Sequence, residues 1–174
     1  MIALAIRSLT FVTSIVLSTL AMSPVWAQNS AHDEAALVQA LKNAKISLED
    51  GLKSSEREGK PISAKFEIDE GKLQLSVYTM KGNGFSEVVV DPQSGAITKA
   101  ETITDPEDLE AAEEQKNAMA KATKSLLAAT QEAERVNAGS RAVSITPTVK
   151  EGHATAEIKL LVGGAVKTVT GKLD

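Results

Sequence analysis

Two histidines are the residues of this chain best suited to metal binding or proton transfer, and their surroundings favour neither role. His32 lies in a polar stretch and His153 in a strand turn, and neither has a second His or a Cys at the spacing of metal ligands. The chain contains no Cys, which excludes Cys nucleophiles and Cys-ligated metals. The Gly-x-Ser-x-Gly turn of many serine hydrolases is also missing. We therefore assign no catalytic, cofactor-binding or metal-binding residue, and we predict that the protein is not an enzyme.

Four other features could bind a ligand, and each has a simpler structural explanation. The acidic run at 107–114 could attract Ca²⁺, but it lacks the Asp-x-Asp-x-Asp-Gly spacing of a calcium loop and suits the start of a solvated helix. Asp91 could bind a cation or cap the turn that follows it, and we favour the cap. Tyr78 and Phe85 fit packing better than a stacking platform. The loop 82–84 is too short for a phosphate cradle and lacks the following helix.

Residues 1–27 have the three-part layout of a secretory signal peptide. Arg7 is the only early charge, an uncharged apolar run covers residues 9–22, and Ala27 is a small residue at which signal peptidase can cut. The apolar run of about 14 residues is shorter than the ~20 that cross a bilayer as a helix, which favours removal over retention as a membrane anchor. We expect a periplasmic or secreted protein with no membrane span after signal removal.

Charge and composition narrow the class of protein. The chain has 19 Lys and Arg against 23 Asp and Glu, and loss of Arg7 with the signal lowers the first number to 18 and gives a formal charge of −5. This mild acidity provides no basic patch for nucleic acid. With three Phe, one Tyr and one Trp, and with Trp26 inside the signal, the core has to be mainly aliphatic.

Residues 33–103 predict a helical segment followed by short strands. Apolar positions spaced by three and four residues run from Leu37 to Leu52, which indicates two helices that meet near Lys45 or one kinked helix. Alternating apolar residues predict strands at 62–68, 73–77 and 85–90, with a short fourth strand at 96–103. Residues 28–32, between the signal and this segment, are expected to form a loose polar tail.

Residues 104–174 predict a long helix and three more strands. Asp105 is a good N-cap and Pro106 suits the first helical turn. The helix is expected to reach Val136, and its narrow stripe of small apolar residues favours a linker between two units over a core helix. Strands are predicted around 143–145, 156–160 and 166–169, with turns at 151–152 and 163–164.

The two segments repeat the same order of features. SLEDGLKSSER and EGKLQLSVYTMKG in the first correspond to SLLAATQEAER and EGHATAEIKLLVG in the second, with an offset of 78 at Ser47/Ser125 and 81 at Glu70/Glu151. The difference places three additional residues in the loop between helix and strands. We predict an α+β fold of two tandem small units, 33–103 and 104–174, each a helix packed on a short antiparallel sheet of three or four strands, joined by a long linker helix. Because a unit of ~60 residues is marginal alone, the units should share apolar surface.

The first segment resembles the PepSY domain. The residues that carry the resemblance are ISLED at 46–50, Gly59, AKFEIDEG at 64–71, Val77 and VVVDPQSG at 88–95. The resemblance covers residues 46–103, whereas the second segment matches only in outline, because it lacks the Asp-to-Gly turn and any aromatic residue. PepSY units are small α+β modules of exported bacterial proteins and also occur in propeptides of thermolysin-like proteases.

The resemblance implies a non-enzymatic module that restrains a peptidase or binds an envelope partner, and it brings no catalytic residue. Our first hypothesis is an exported binding module of the bacterial envelope that docks an extended segment of a protein partner at a sheet edge or in a groove between the units. The alternative is an inhibitor or regulator of a secreted peptidase, and an unrecognised enzyme is the third hypothesis. No cofactor is expected, and the sequence leaves the binding residues and the oligomeric state open.

Overall fold

Four helices and seven strands make up the part of the chain that the computed structural model describes, which is residues 25–174 for the backbone and 33–174 for the side chains. The helices are α1 (Val25–Leu41), α2 (Leu48–Ser55), α3 (Pro106–Lys121) and α4 (Leu126–Val136). The strands are β1 (Lys60–Asp69), β2 (Lys72–Lys81), β3 (Gly84–Val90), β4 (Ile97–Thr102), β5 (Arg141–Lys150), β6 (His153–Val162) and β7 (Ala165–Lys172).

The seven strands form one antiparallel sheet in the order β4-β3-β2-β1-β5-β6-β7. β1 and β5 lie at its centre and pair through Ala64 with Ile145 and Lys65 with Ser144. The fold is α+β, but the prediction of two small units with separate sheets of three or four strands is wrong. The two segments, called here the first half (33–103) and the second half (104–174), instead join edge to edge.

A transverse row of apolar residues explains why the halves join. Residues directly opposite one another in neighbouring strands point to the same face of a sheet. The row crosses all seven strands, and its five central side chains are at most 1% exposed. Its members, from β4 to β7, are Ala100, Val88, Val77, Ala64, Ile145, Ile158 and Val169. The hydrophobic core contains the central residues of this row and draws on both halves of the chain.

The register of the second half repeats that of the first at an offset of 81. Strand irregularities between Pro61 and Ser63 and between Ala142 and Ser144 occupy corresponding positions. The hairpin turns also correspond, with positive φ at Glu70-Gly71 and Glu151-Gly152 and at Gly82 and Gly163. Ala64 and Ile145 are themselves 81 positions apart and pair with each other. A local two-fold axis therefore passes through this pair at right angles to the sheet.

The predicted long linker helix is wrong, because the chain forms two helices, α3 and α4, where one was expected. Ala122 has extended backbone angles, and Ser125 caps α4 by accepting a hydrogen bond from the Ala128 N–H at 3.1 Å. The N–H groups of Thr123 and Lys124 both donate to the Leu173 carbonyl, at 2.7 and 2.8 Å. These bonds outside the helix satisfy donors that a continuous helix would have used internally. α3 is also no solvated linker, since it buries Ala112, Gln115, Ala118 and Met119.

The connection between α1 and α2 is built in the same way. The N–H groups of Lys45 and Ile46 both donate to the Pro92 carbonyl, at 2.9 and 3.3 Å. Ser47 then caps α2 in a capping box with Asp50. Of the two predicted arrangements for this segment, two helices meeting near Lys45 is therefore correct. The Leu173 carbonyl thus accepts the two hydrogen bonds in the second half that the Pro92 carbonyl accepts in the first.

The remaining sequence predictions for the fold have mixed outcomes. The predicted strands and turns of both halves are confirmed. The three additional residues do not lie in a loop, because α4 has 11 residues where α2 has 8. Residues 28–32 were expected to be a loose tail, but their backbone belongs to α1. Residues 1–24 of the predicted signal lie outside the described part of the chain, and α1 runs through the expected cleavage position at Ala27.

Substitution of Gly51 by Ala should lower the free energy of unfolding by about 1–3 kcal/mol, as overpacking of a core does. A Cβ at this buried position of α2 would lie 2.9 Å from the Cγ of Leu75 and closer still to its Cδ2. In the second half, Ala129 corresponds to Gly51 and Ala156 corresponds to Leu75. The larger helix residue is thus accompanied there by a smaller strand residue. Urea unfolding followed by circular dichroism measures the change.

Gly84→Ala is the matched control, because a Cβ there would meet only the Lys81 carbonyl at 3.7 Å. Its free energy of unfolding should stay within about 0.5 kcal/mol of the wild-type value. If Gly51→Ala were as harmless as Gly84→Ala, the close packing of α2 on β2 would be refuted.

Candidate functional site

His153 lies at the protein surface, next to the last residue of the sequence. His153 Nδ1 is 2.7 Å from Asp174 Oδ2, and this pair is exposed. The backbone of His32 is part of α1, and the structure describes side chains only from residue 33 onward. Among the described residues, no three carboxylate or imidazole side chains lie close enough to hold a metal ion.

The four other candidate features lie in separate parts of the structure. Asp91 caps its turn as expected, accepting hydrogen bonds from Gln93 N at 3.1 Å and Ser94 N at 2.7 Å. The hydroxyl of Tyr78 donates to Asp108 at 2.7 Å and thereby ties β2 to α3. Phe85 is buried beneath Lys116, whose Nζ is 5.6 Å from the ring centroid. The loop 82–84 is the turn between β2 and β3.

The acidic run at 107–114 forms the start of α3. The Asp105 carboxylate accepts hydrogen bonds from the N–H groups of Glu107 and Asp108, at 2.9 and 3.3 Å. Negative charge at this end of a helix is favourable, because the unpaired N–H groups carry partial positive charge. Asp108 also accepts the Tyr78 hydrogen bond, and Glu113 pairs with Lys116 at 2.7 Å. The run is therefore engaged in helix capping and surface pairing.

A charged cluster that the sequence did not predict lies where the two halves meet. The guanidinium of Arg141, at the start of β5, donates to the carbonyls of Leu41, Ala44 and Ile46 at 2.9, 3.3 and 2.5 Å. The three carbonyls lie at the end of α1 and in the connection to α2. The partial negative charge at the C-terminus of a helix favours a cation at this position. The guanidinium also lies 5.4 Å from the ring centroid of Phe66. Arg141, from the second half, thus holds the connection between α1 and α2 of the first half through its hydrogen bonds.

Two carboxylates complete this cluster. Glu134 of α4 accepts a hydrogen bond from the Ala142 N–H at 2.6 Å. Glu49 of α2 is 8% exposed, and its Oε2 has no hydrogen-bond partner among the described residues. Burial and the nearby Glu49 raise the pKa of Glu134, although the Ala142 N–H and Arg141 act in the opposite direction. Burial lowers the pKa of Arg141, and the two carboxylates oppose that change.

The chemistry of the cluster is structural. The hydrogen bonds of the Arg141 guanidinium all go to backbone carbonyls, and within residues 33–174 no hydroxyl or imidazole is hydrogen-bonded to the two carboxylates. The sequence signal that could have pointed to it is the basic residue that recurs at an offset of 81, as Lys60 and Arg141. Its partners lie 95–100 positions earlier in the chain, so spacing alone could not identify them.

The outer edge of β7 is the feature best suited to binding. β7 corresponds to β3 at the offset of 81, and β3 has β4 paired along its outer edge. In residues 25–174, no strand pairs with the corresponding edge of β7. An edge strand presents unpaired N–H and C=O groups that can bind another extended chain.

An apolar groove of about 610 Å³ runs beside this edge, between β7 and α4. Val136 lies in it and is 69% exposed, the highest value among the exposed large hydrophobic residues of the described chain. Lys124 and Glu132 form an ion pair at 2.5 Å on the α4 side. The apolar lining consists of Ala129, Ala133, Val136, Ile158, Val169 and Gly171. The polar lining consists of Lys124, Glu132, Asn137, Thr170, Lys172 and Asp174. We call this groove together with the outer edge of β7 the β7 site.

Comparison with known proteins found no matching family model, no matching curated protein and no matching solved structure. The resemblance to PepSY domains therefore stays a prediction that rests on the residues of the first half. Among the helices of the described residues, none has both the length and the apolar character needed to cross a bilayer.

Replacement of Arg141 by Ala should lower the free energy of unfolding by about 2–4 kcal/mol. The change removes three charge-assisted hydrogen bonds and leaves Glu134 and Glu49 without their neighbouring cation. Chemical unfolding measures the loss. Arg57→Ala is the control, since its 3.5 Å pair with Glu58 is largely exposed and should contribute less than about 1 kcal/mol. Equal losses in the two variants would contradict the role assigned to Arg141.

The stability of the protein should fall as the pH rises from about 4.5 toward neutrality, because of Glu134. Its ordinary pKa is 4.5, and the folded state raises it, so folding favours the protonated form. The resulting stabilisation is complete below the unfolded pKa and is lost as the pH rises through the folded pKa. Glu134→Gln should remove this loss, as measured by urea unfolding at several pH values between 4 and 7.

Glu132→Gln provides a control on the same helix, because folding shifts the pKa of Glu132 in the opposite direction. Its side-chain hydrogen bond with Lys124 lowers the pKa of Glu132, so its contribution is present above pH 4.5 and is lost as the pH falls. The variant should therefore keep the wild-type decline between pH 4.5 and 7. A decline that persists in Glu134→Gln would show that another group causes it.

Proposed function

We propose that this protein is an exported, non-enzymatic binding module of the bacterial envelope that holds an extended segment of a partner protein at the β7 site. The observation that carries the proposal is the asymmetry of the two outer edges: β4 pairs with β3, whereas the corresponding edge of β7 is unpaired in the described chain and lies beside an apolar groove. Addition of a strand to a sheet edge uses main-chain hydrogen bonds for affinity and side-chain pockets for specificity.

The pairing of β4 indicates which segment would fit. Ala100 lies opposite Val88, and Ile97 lies opposite Val90. The corresponding residues of β7 are Val169 and Gly171. A bound antiparallel segment would therefore place a small apolar residue opposite Val169 and a larger aliphatic residue opposite Gly171, where no strand side chain takes up space.

Two features of the sequence support this proposal. The resemblance of residues 46–103 to PepSY domains favours a binding role in the cell envelope over catalysis. The layout of residues 1–27 favours export, which would bring the protein to envelope partners. Restraint of a secreted peptidase is the alternative form of the same function, with the peptidase as the protein that provides the segment.

A fluorescent peptide with the sequence of residues 95–104, which includes β4, should bind the protein and pair with β7. Val136→Lys should weaken this binding by about tenfold, because a cation in the groove opposes burial of an aliphatic side chain worth roughly 1.5 kcal/mol. Fluorescence anisotropy measures both affinities. Val136 is exposed, so the variant should fold as the wild type does.

The matched control is Val149→Lys, which changes an exposed valine of β5 outside the groove and should leave the affinity unchanged. The same three proteins can serve as baits for envelope extract, followed by mass spectrometry of the captured proteins. A partner retained by the wild type and Val149→Lys but lost with Val136→Lys supports the β7 site, and a peptidase among such partners supports the alternative form. Absence of peptide binding together with absence of any Val136-dependent partner would refute the proposal.

A further inference from the structure

A second cavity, of about 350 Å³, lies between the start of β1 and the connection from α3 to α4. Glu56 and Lys60 line one side of it, and the residues from Ala122 to Ser125 line the other. Leu52, Met119 and Leu126 provide apolar walls. We call this cavity the α3–α4 pocket.

The internal repeat relates this pocket to the surroundings of Arg141. With offsets of 78 in the helices and 81 in the strands, Glu56 corresponds to Glu134 and Lys60 to Arg141. The carbonyls of Met119, Ala122 and Lys124 likewise correspond to those of Leu41, Ala44 and Ile46, which bind the Arg141 guanidinium. The paired hydrogen bonds to Leu173 and to Pro92 hold the two helix connections in the same way. The α3–α4 pocket is therefore the counterpart of the space that Arg141 fills.

Lys60 is the first difference that keeps the pocket open. Lysine lacks the planar fork with which arginine reaches several carbonyls at once. The Lys60 side chain is exposed and makes no hydrogen bond or ion pair within the described residues. It can therefore stay in solvent while another group enters the pocket.

Pro61 is the second difference. The corresponding residue, Ala142, donates its N–H to Glu134 at 2.6 Å, but proline has no N–H to offer Glu56. Glu56 is exposed, and its carboxylate has no hydrogen-bond partner in the part of the chain that the structure describes. The pocket thus combines the free carboxylate of Glu56 with three residues whose counterparts in the first half bind a cation through their carbonyls.

We propose that the α3–α4 pocket binds the guanidinium group of an arginine side chain from a partner polypeptide. The three carbonyls and Glu56 supply acceptors for its several donors, and Leu52 and Leu126 line the space for its aliphatic stem. The template for this mode of binding is the protein's own Arg141. The pocket needs no segment on β7, so the proposal stands independently of the β7 site.

Nuclear magnetic resonance of the ¹⁵N-labelled protein, titrated with N-acetyl-arginine amide, tests the proposal. Backbone amide shifts should be confined to residues 56–60 and 119–127. N-acetyl-lysine amide carries the same charge and should bind about tenfold more weakly, since it loses charge-assisted hydrogen bonds worth about 1.5 kcal/mol or more. Shifts centred elsewhere, or equal affinities for the two probes, would overturn the proposal.

Four variants of the full chain extend the test. Glu56→Gln should weaken arginine binding by about tenfold, for the same reason, while Glu58→Gln, two residues away, should leave it unchanged. Lys60→Arg should abolish binding, because the new guanidinium would fill the pocket as Arg141 fills its own site, and it should not lower the midpoint of urea unfolding. Lys60→Gln should bind as well as the wild type, which separates filling of the pocket from loss of the lysine charge. Undiminished binding to Lys60→Arg would refute the proposal even if Glu56→Gln failed to fold.

Discussion

The pairing of β1 with β5 is the interaction on which the rest of the structure depends. It consists of two residue pairs, Ala64 with Ile145 and Lys65 with Ser144, yet it aligns the apolar rows of the two halves into one row across seven strands. A half of about 70 residues would be only marginally stable alone, because it would leave a large share of its surface exposed. Once the two edges meet, the helices of both halves cover a common core, and the central strands no longer have an exposed edge.

The local two-fold axis also shows where the halves have diverged. Corresponding positions have the same backbone register, so a difference between them is a difference in side chains or in added segments. β4 covers the edge of β3, whereas the edge of β7 is unpaired in the described chain. Arg141 fills one helix connection, whereas Lys60 leaves the other open. Both candidate binding sites lie where one half lacks something that the other half has.

Partly buried charges also connect the two halves. Arg141 belongs to the second half, but its three hydrogen-bond acceptors belong to the first. Glu49 and Glu134 come from helices of different halves, and Glu49 raises the pKa of Glu134. Such a cluster adds little net stability compared with apolar packing, but loss of one member leaves the others unpaired. It therefore favours one placement of α1, α2 and α4 relative to β5.

The sequence by itself determined the local structure of this protein. Alternation placed the strands, Glu70-Gly71 and Glu151-Gly152 form hairpin turns, and Ser47 caps α2 together with Asp50, three residues further along the chain. These features depend on neighbours within a few residues, so spacing is enough to identify them. The repeat at an offset of 81 was visible for the same reason.

Only the tertiary structure decided how the parts combine. The backbone groups of a strand edge are the same in every strand, so no residue pattern could show that β1 pairs with β5. The predicted long helix breaks after Lys121 partly because Leu173, far along the chain, accepts hydrogen bonds from the N–H groups of Thr123 and Lys124. The acceptors of Arg141 and the raised pKa of Glu134 likewise arise from residues distant in sequence. Hydrogen bonding and burial depend on distances in space, which the order of residues does not record.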